Sequence, residues 1–307
     1  MKKSKGFLIV PIFLLIVSLL LLLTNLIPEE SIDTTVKLFL TLIVLELFVF
    51  ALPSFFYAKL RGDKLLTVLP KNGLSLQSIP LLLATVFLIL FFGLSINSIF
   101  FFIGIGKESY TSLGPYALSS VSIIDHPLYA LVAYGAIPAL VEEFFFRGIV
   151  YGEYRSYSFL TASLVSSLAF AFCYFDLAGF PFYFVSGFLL AYTVRLTESL
   201  FAAITVRFFV NVASIYLMPT LWRLLTQPLG VLFAVFVSVT LFLIALFFYL
   251  KALATRYLAM ARDPAFATDT PYSKKEARYH TLKALTSPLF LATAAIWLTA
   301  VVIDFFI

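Results

Sequence analysis

Residues 128–150 read LYALVAYGAIPALVEEFFFRGIV, from Leu128 to Val150. As a helix this run is long enough to cross the roughly 30 Å hydrocarbon core of a bilayer. It carries Glu142, Glu143 and Arg147 inside it. An ionisable group at that depth costs several kcal/mol, about 3 or more on insertion scales, so each needs a partner or a purpose. The rest of the chain agrees with lipid as the solvent. Its 307 residues are 62% hydrophobic and 12% charged, with a mean hydropathy of +1.04, against about 45–50% and 25% in soluble domains. A soluble globule and a disordered chain are both excluded.

The sequence predicts an all-α, polytopic transmembrane helix bundle of about nine spans. They lie near Phe7 to Ile27, Thr35 to Ala58, Ile79 to Ile103, Leu128 to Val150, Phe159 to Phe175, Phe180 to Leu196, Ser199 to Met218, Leu229 to Leu250 and Ser287 to Ile307. The fifth and sixth flank Asp176 to Gly179 with almost no loop, so a tight helical hairpin is expected. The first follows Met-Lys-Lys-Ser-Lys, but its apolar run is too long for a cleaved signal and no small-x-small site follows; a retained anchor is expected. With the N-terminus cytoplasmic, only Lys107 and Arg223 of the 21 Lys and Arg fall outside; Lys37 and Arg207 lie within spans, and Arg147, near the cytoplasmic end of its span, counts as inside. That asymmetry fits the positive-inside rule. It accounts for the net charge of +5 without nucleic acid.

Three regions are expected: 1–127, membrane helices ending in an external loop; 128–218, a core; and 219–307, further membrane helices around a basic cytoplasmic loop at 251–286. Cys173 is the only cysteine, which excludes an internal disulfide and a thiolate metal site. No cofactor or metal is expected. Membrane lipids are the expected surroundings, and a membrane-anchored peptide or a membrane protein the expected partner. The expected setting is the cytoplasmic membrane of a bacterium.

The charges at membrane depth are Glu46, Glu142, Glu143, Arg147, Arg207 and Asp304, the last interfacial. On a helix Glu143 and Arg147 stand four apart and can pair along one face. Glu142, about 100° away, escapes that pairing. It is either a general base held inside the bundle or a helix-end carboxylate wetted by interfacial water. Phe170 with Tyr174, and Arg207 with Asn211, repeat the four-residue step. If the fourth and seventh spans pack together, Arg207 is the natural counter-charge for Glu142, and Tyr174 can donate its hydroxyl to the same cluster. Such a cluster is either a fastening of three helices or a reaction site.

The sequence Glu142-Glu143-Phe144-Phe145-Phe146-Arg147, followed by Phe170-Ala171-Phe172-Cys173-Tyr174 and Arg207-Phe208-Phe209-Val210-Asn211, resembles the CPBP family of CAAX proteases and bacteriocin-processing enzymes. These are glutamate-dependent intramembrane proteases with the pattern Glu-Glu-x-x-x-Arg, Phe-x-x-x-His, His-x-x-x-Asn/Asp. The resemblance covers residues 128–215. It implies that Glu142 activates water, that Asn211 helps stabilise the oxyanion, and that Glu143 and Arg147 support them. Both family histidines are replaced, by Tyr174 and Arg207. These two can donate to an oxyanion, but neither shuttles protons well near neutral pH. Cys173 is read as a buried apolar residue. Two functions follow: a degenerate, catalytically silent homologue that binds a membrane partner, and an active endopeptidase with Glu142 as base. A small transporter ranks third, since no matching pair of Gly/Pro-broken spans supports it.

Overall fold

The computed structural model describes residues 6–24, 35–70, 72–104, 126–227, 230–261 and 274–306. The N-terminal lysines, the external loop at 105–125, the centre of the basic loop at 262–273 and the side chain of Asp304 lie outside the described residues. Eleven helices organise the described residues: α1 Gly6–Thr24, α2 Val36–Arg61, α3 Ile79–Phe102, α4 Pro127–Tyr154, α5 Phe159–Phe172, α6 Phe180–Thr197, α7 Leu200–Tyr216, α8 Met218–Thr226, α9 Gly230–Ala261, α10 Lys274–Leu285 and α11 Pro288–Phe306. Among the described residues there is no strand. The protein is an all-α, multi-pass membrane protein. Among the described residues four helices are long and apolar enough to cross a bilayer, or up to six if the bent pairs α7–α8 (46°) and α10–α11 (54°) each form one span. Pro219 and Pro288 open the second member of each pair, where proline cannot continue the preceding ladder.

The expected hairpin is present, with α5 packed along α6. At 14 residues, α5 is only about 21 Å long. Ser158 caps its start, accepting from the Thr161 N–H at 2.9 Å. Its far end is stopped by Phe175, in the left-handed region at φ 47°, and by Asp176, whose Oδ1 accepts from the Gly179 N–H at 3.0 Å. A Cβ on Gly179 would fall 2.5 Å from both Asp176 Oδ2 and the Tyr183 ring, so this turn requires glycine.

Two spans widen into π-type turns at Leu47–Ala51 in α2 and at Leu131–Ala136 in α4. Pro53 and Pro138 stand just downstream of them. A proline ring collides with the carbonyl four residues back, and a wider turn accommodates it. A third wide segment, Phe144–Val150, contains no proline and carries Arg147. The Phe146 carbonyl in it accepts from the Ser166 hydroxyl of α5 at 2.9 Å, which also ties α4 to α5. Around this crossing lie Phe50, Phe145, Phe146 and Phe170, all fully buried. Ring centroids are 5.8 Å apart for Phe50–Phe146 and 5.3 Å for Phe146–Phe170. Edge-to-face packing of this kind adds about 0.5–1.5 kcal/mol per pair beyond burial.

The 251–286 stretch, expected as a loop, is helical at both ends. α9 runs on through Lys251 to Ala261, and α10 packs against α5. Ala, Leu, Lys, Arg and Glu dominate both pieces, and these residues favour helix even where polarity rises.

At the other end of α4, Glu153 is fully buried. It accepts from the Tyr57 hydroxyl at 2.7 Å and from Arg61 through Nε at 2.5 Å and Nη2 at 2.8 Å, fastening α2 to α4. Beside it, Gly152 touches the short turn Leu65–Val68: a Cβ there would sit 2.8 Å from the Val68 carbonyl oxygen. Gly152→Ala is expected to lower stability by about 1–3 kcal/mol, read as the denaturant midpoint in detergent micelles. An unchanged midpoint would show that the turn is not held.

Candidate functional site

α4 places Glu142 and Glu143 on neighbouring faces, and the two carboxylates go separate ways. Glu143 Oε1 accepts from Arg147 Nη1 at 2.8 Å, the four-residue pair expected from sequence. Glu142 Oε2 accepts from Arg207 Nη2 of α7 at 3.0 Å and from the Tyr174 hydroxyl at 3.2 Å. Arg207 Nη2 also donates to the Tyr174 oxygen. α4 and α7 pack against each other, as this pairing needs. Glu142, Glu143, Arg147, Tyr174 and Arg207 are brought together, none of them more than 8% exposed.

Asn211, one turn beyond Arg207, is buried but turns the other way. Its Nδ2 donates to the Gly135 carbonyl in the wide turn of α4 at 3.4 Å. It fastens α7 to α4, and no described hydrogen bond joins it to Glu142. Cys173 is buried and forms no disulfide. His126 contacts the Tyr129 ring and His280 the Tyr157 ring, both outside this cluster.

Four supporting residues were not named as site residues from sequence. Glu46 of α2 is 2% exposed and stands in the electrostatic field of Glu142 and Arg207. The Oε1 atoms of both glutamates have no donor among the described residues. Three carboxyls, Glu46, Glu142 and Glu143, here stand near two guanidiniums, Arg147 and Arg207. The signal for Glu46 was its position at membrane depth; the partner on α4 was not readable.

Phe170 is the second. The Arg147 guanidinium carbon lies 4.5 Å from its ring centroid and that of Arg207 5.0 Å, so one ring serves both cations. Gly187 of α6 is the third: its carbonyl accepts from Arg147 Nη2 at 3.2 Å, and a Cβ there would meet Ser167 Cα at 3.1 Å. Tyr183 of the same helix stacks on Tyr174, centroids 3.8 Å apart, which fixes the phenol plane. Among the described residues, no group of three or more His, Cys, Asp and Glu is arranged to hold a metal ion.

Chemically the cluster is a set of donors already aimed at carboxylates. Arg207→Met is expected to cost about 3–5 kcal/mol, because it strands a buried charge. Arg207→Met combined with Glu142→Leu should recover more than half of that loss. The readout is denaturant unfolding of the two variants in micelles. Equal losses would show that the two side chains are not coupled.

Searches against curated proteins and against solved structures return no match. A family profile does match, described as Type II CAAX prenyl endopeptidase Rce1-like, over residues 124–213. Glu142, Glu143, Arg147, Tyr174, Arg207 and Asn211 all fall inside that segment, and Glu46 outside it. The paired glutamates and arginine of α4, closed by side chains from α5 and α7, therefore lie within the one segment, residues 124–213, that is similar to the Rce1-like CAAX prenyl endopeptidases.

Proposed function

We propose that this CAAX-protease-like membrane protein uses its core to bind a membrane-anchored partner and does not cleave it, in the cytoplasmic membrane of a bacterium. The single observation behind this reading is the direct contact of Arg207 with Glu142 at 3.0 Å. Hydrolysis needs a base to take a proton from water and a group to pass it to the leaving nitrogen. Arginine remains protonated, and tyrosine titrates near 10 in its ordinary state. Both donors suited to a tetrahedral oxyanion are spent on the carboxylate that would have to act as base. In its resting form the cluster thus has each guanidinium paired with a carboxylate, as a helix fastener does.

A second reading is favoured by Glu46. With a proton between Glu46 and Glu142, one carboxylate can accept a proton from water while the other carboxyl donates to the amide nitrogen. This division of labour belongs to acid pairs. It keeps an endopeptidase acting on membrane-anchored or lipid-modified peptides as the alternative, with Glu142 as base.

The deciding experiment places the full-length protein in liposomes with a prenylated peptide ending in a CAAX sequence. No product above the protein-free background is expected. Product that disappears in Glu142→Gln and Glu46→Gln would establish the endopeptidase instead. For the binding role, Glu142→Gln is expected to retain co-purifying membrane partners from native lipid, because Glu46 remains to face Arg207. Gly187→Leu, which forces α6 away from α5, is expected to lose them.

A further inference from the structure

We propose that the groove between α3 and α9 is a binding site for one anionic glycerophospholipid. It lies outside the segment that matches the CAAX-protease profile, and it stands whether or not the core hydrolyses anything. The groove encloses about 860 Å³, within the range of specific small-molecule sites. It is polar at one end only. Gln77, Lys251, Thr255 and Arg256 line that end, while Phe87 and Phe91 of α3 line the other with Ile244 and Phe248 of α9. No Asp or Glu is among its lining residues.

The dimensions follow a lipid. From Gln77 to Phe91 the chain advances about 21 Å at 1.5 Å per residue. A single leaflet contributes about 15 Å of hydrocarbon, leaving the remainder for a head group at the cationic end. The apolar wall is not closed by protein: Phe87 is 49% and Phe248 57% exposed. α9 packs against α3 along its length and is otherwise largely unburied. Acyl chains can therefore enter sideways from the bilayer.

The cationic end is built rather than merely charged. Arg256 Nε donates to the Leu196 carbonyl of α6 at 3.0 Å, which holds the guanidinium in place. Its two amino groups then suit a phosphate in the forked geometry arginine favours. Lys251 stands exposed on the same helix, five residues earlier, and adds a second charge. Two such cations fit a head group carrying net negative charge better than a zwitterion, whose own ammonium they repel.

The test is a competition in native mass spectrometry of the full-length protein, offered phosphatidylglycerol and phosphatidylcholine with matched acyl chains. At about 1 kcal/mol per cation, retention should favour phosphatidylglycerol on the order of thirtyfold, falling to about fivefold in Lys251→Gln. Arg256→Lys should weaken the preference less than Arg256→Gln. Ala84→Leu, which fills the groove floor, should reduce retention of both lipids. Equal retention of the two lipids by the native chain, or a preference untouched by Lys251→Gln, overturns the proposal. So does displacement of phosphatidylglycerol by a neutral prenylated peptide whose binding ignores Lys251→Gln. Because Lys251 is exposed, its substitution does not depend on repacking the core.

Discussion

A guanidinium and a carboxylate removed from water must find each other or pay the full cost of desolvation. That constraint fixes the centre of this protein. Arg207 on α7 meets Glu142 on α4, and Arg147 meets Glu143 within α4. Once those contacts are set, α4 and α7 have little freedom to rotate or slide. α5 must end where Tyr174 reaches the same oxygen, and α6 must come close enough for the Gly187 carbonyl to take a remaining donor of Arg147. Such pairs are weak sources of net stability but strong determinants of which faces adjoin. In lipid, where apolar side chains do not discriminate protein from solvent, that is how helices choose neighbours.

Much of this was legible in the chain before any coordinates. Apolar run length gives the helices, because a bilayer fixes how many residues must be buried in a row. The four-residue step of Glu143 and Arg147 gives their pairing, and charge balance gives Arg207 as the partner of Glu142. Glu46 is where this reasoning stops. Its depth marked it as needing company, but sequence says nothing about which of several spans stands next to α2. Asn211 shows a different limit: helical spacing puts it on the Arg207 face, yet its amide is taken by Gly135, a carbonyl in a wide turn that apolar periodicity does not reveal. The helical ends of the 251–286 stretch were hidden for a third reason. Their polarity resembles a loop, while their backbone preference is helical.

The wide turns deserve a physical reading of their own. Two of them sit just before a proline and relieve its collision with the preceding turn. The third, at Phe144–Val150, has no such cause on its own helix. It coincides with the carbonyl that Ser166 of α5 takes up and with the arginine that reaches across to α6. Neighbouring helices thus supply what the locally widened ladder gives up.

The ring of Phe170 is shared by two buried arginines. A histidine at position 207 would have been neutral for much of the time; an arginine never is, and it brings a standing like-charge repulsion with Arg147. An aromatic quadrupole within 5.0 Å of both cations offers each of them electron density without adding an anion. A carbon ring thereby adds to what the carboxylates do, screening one guanidinium from the other.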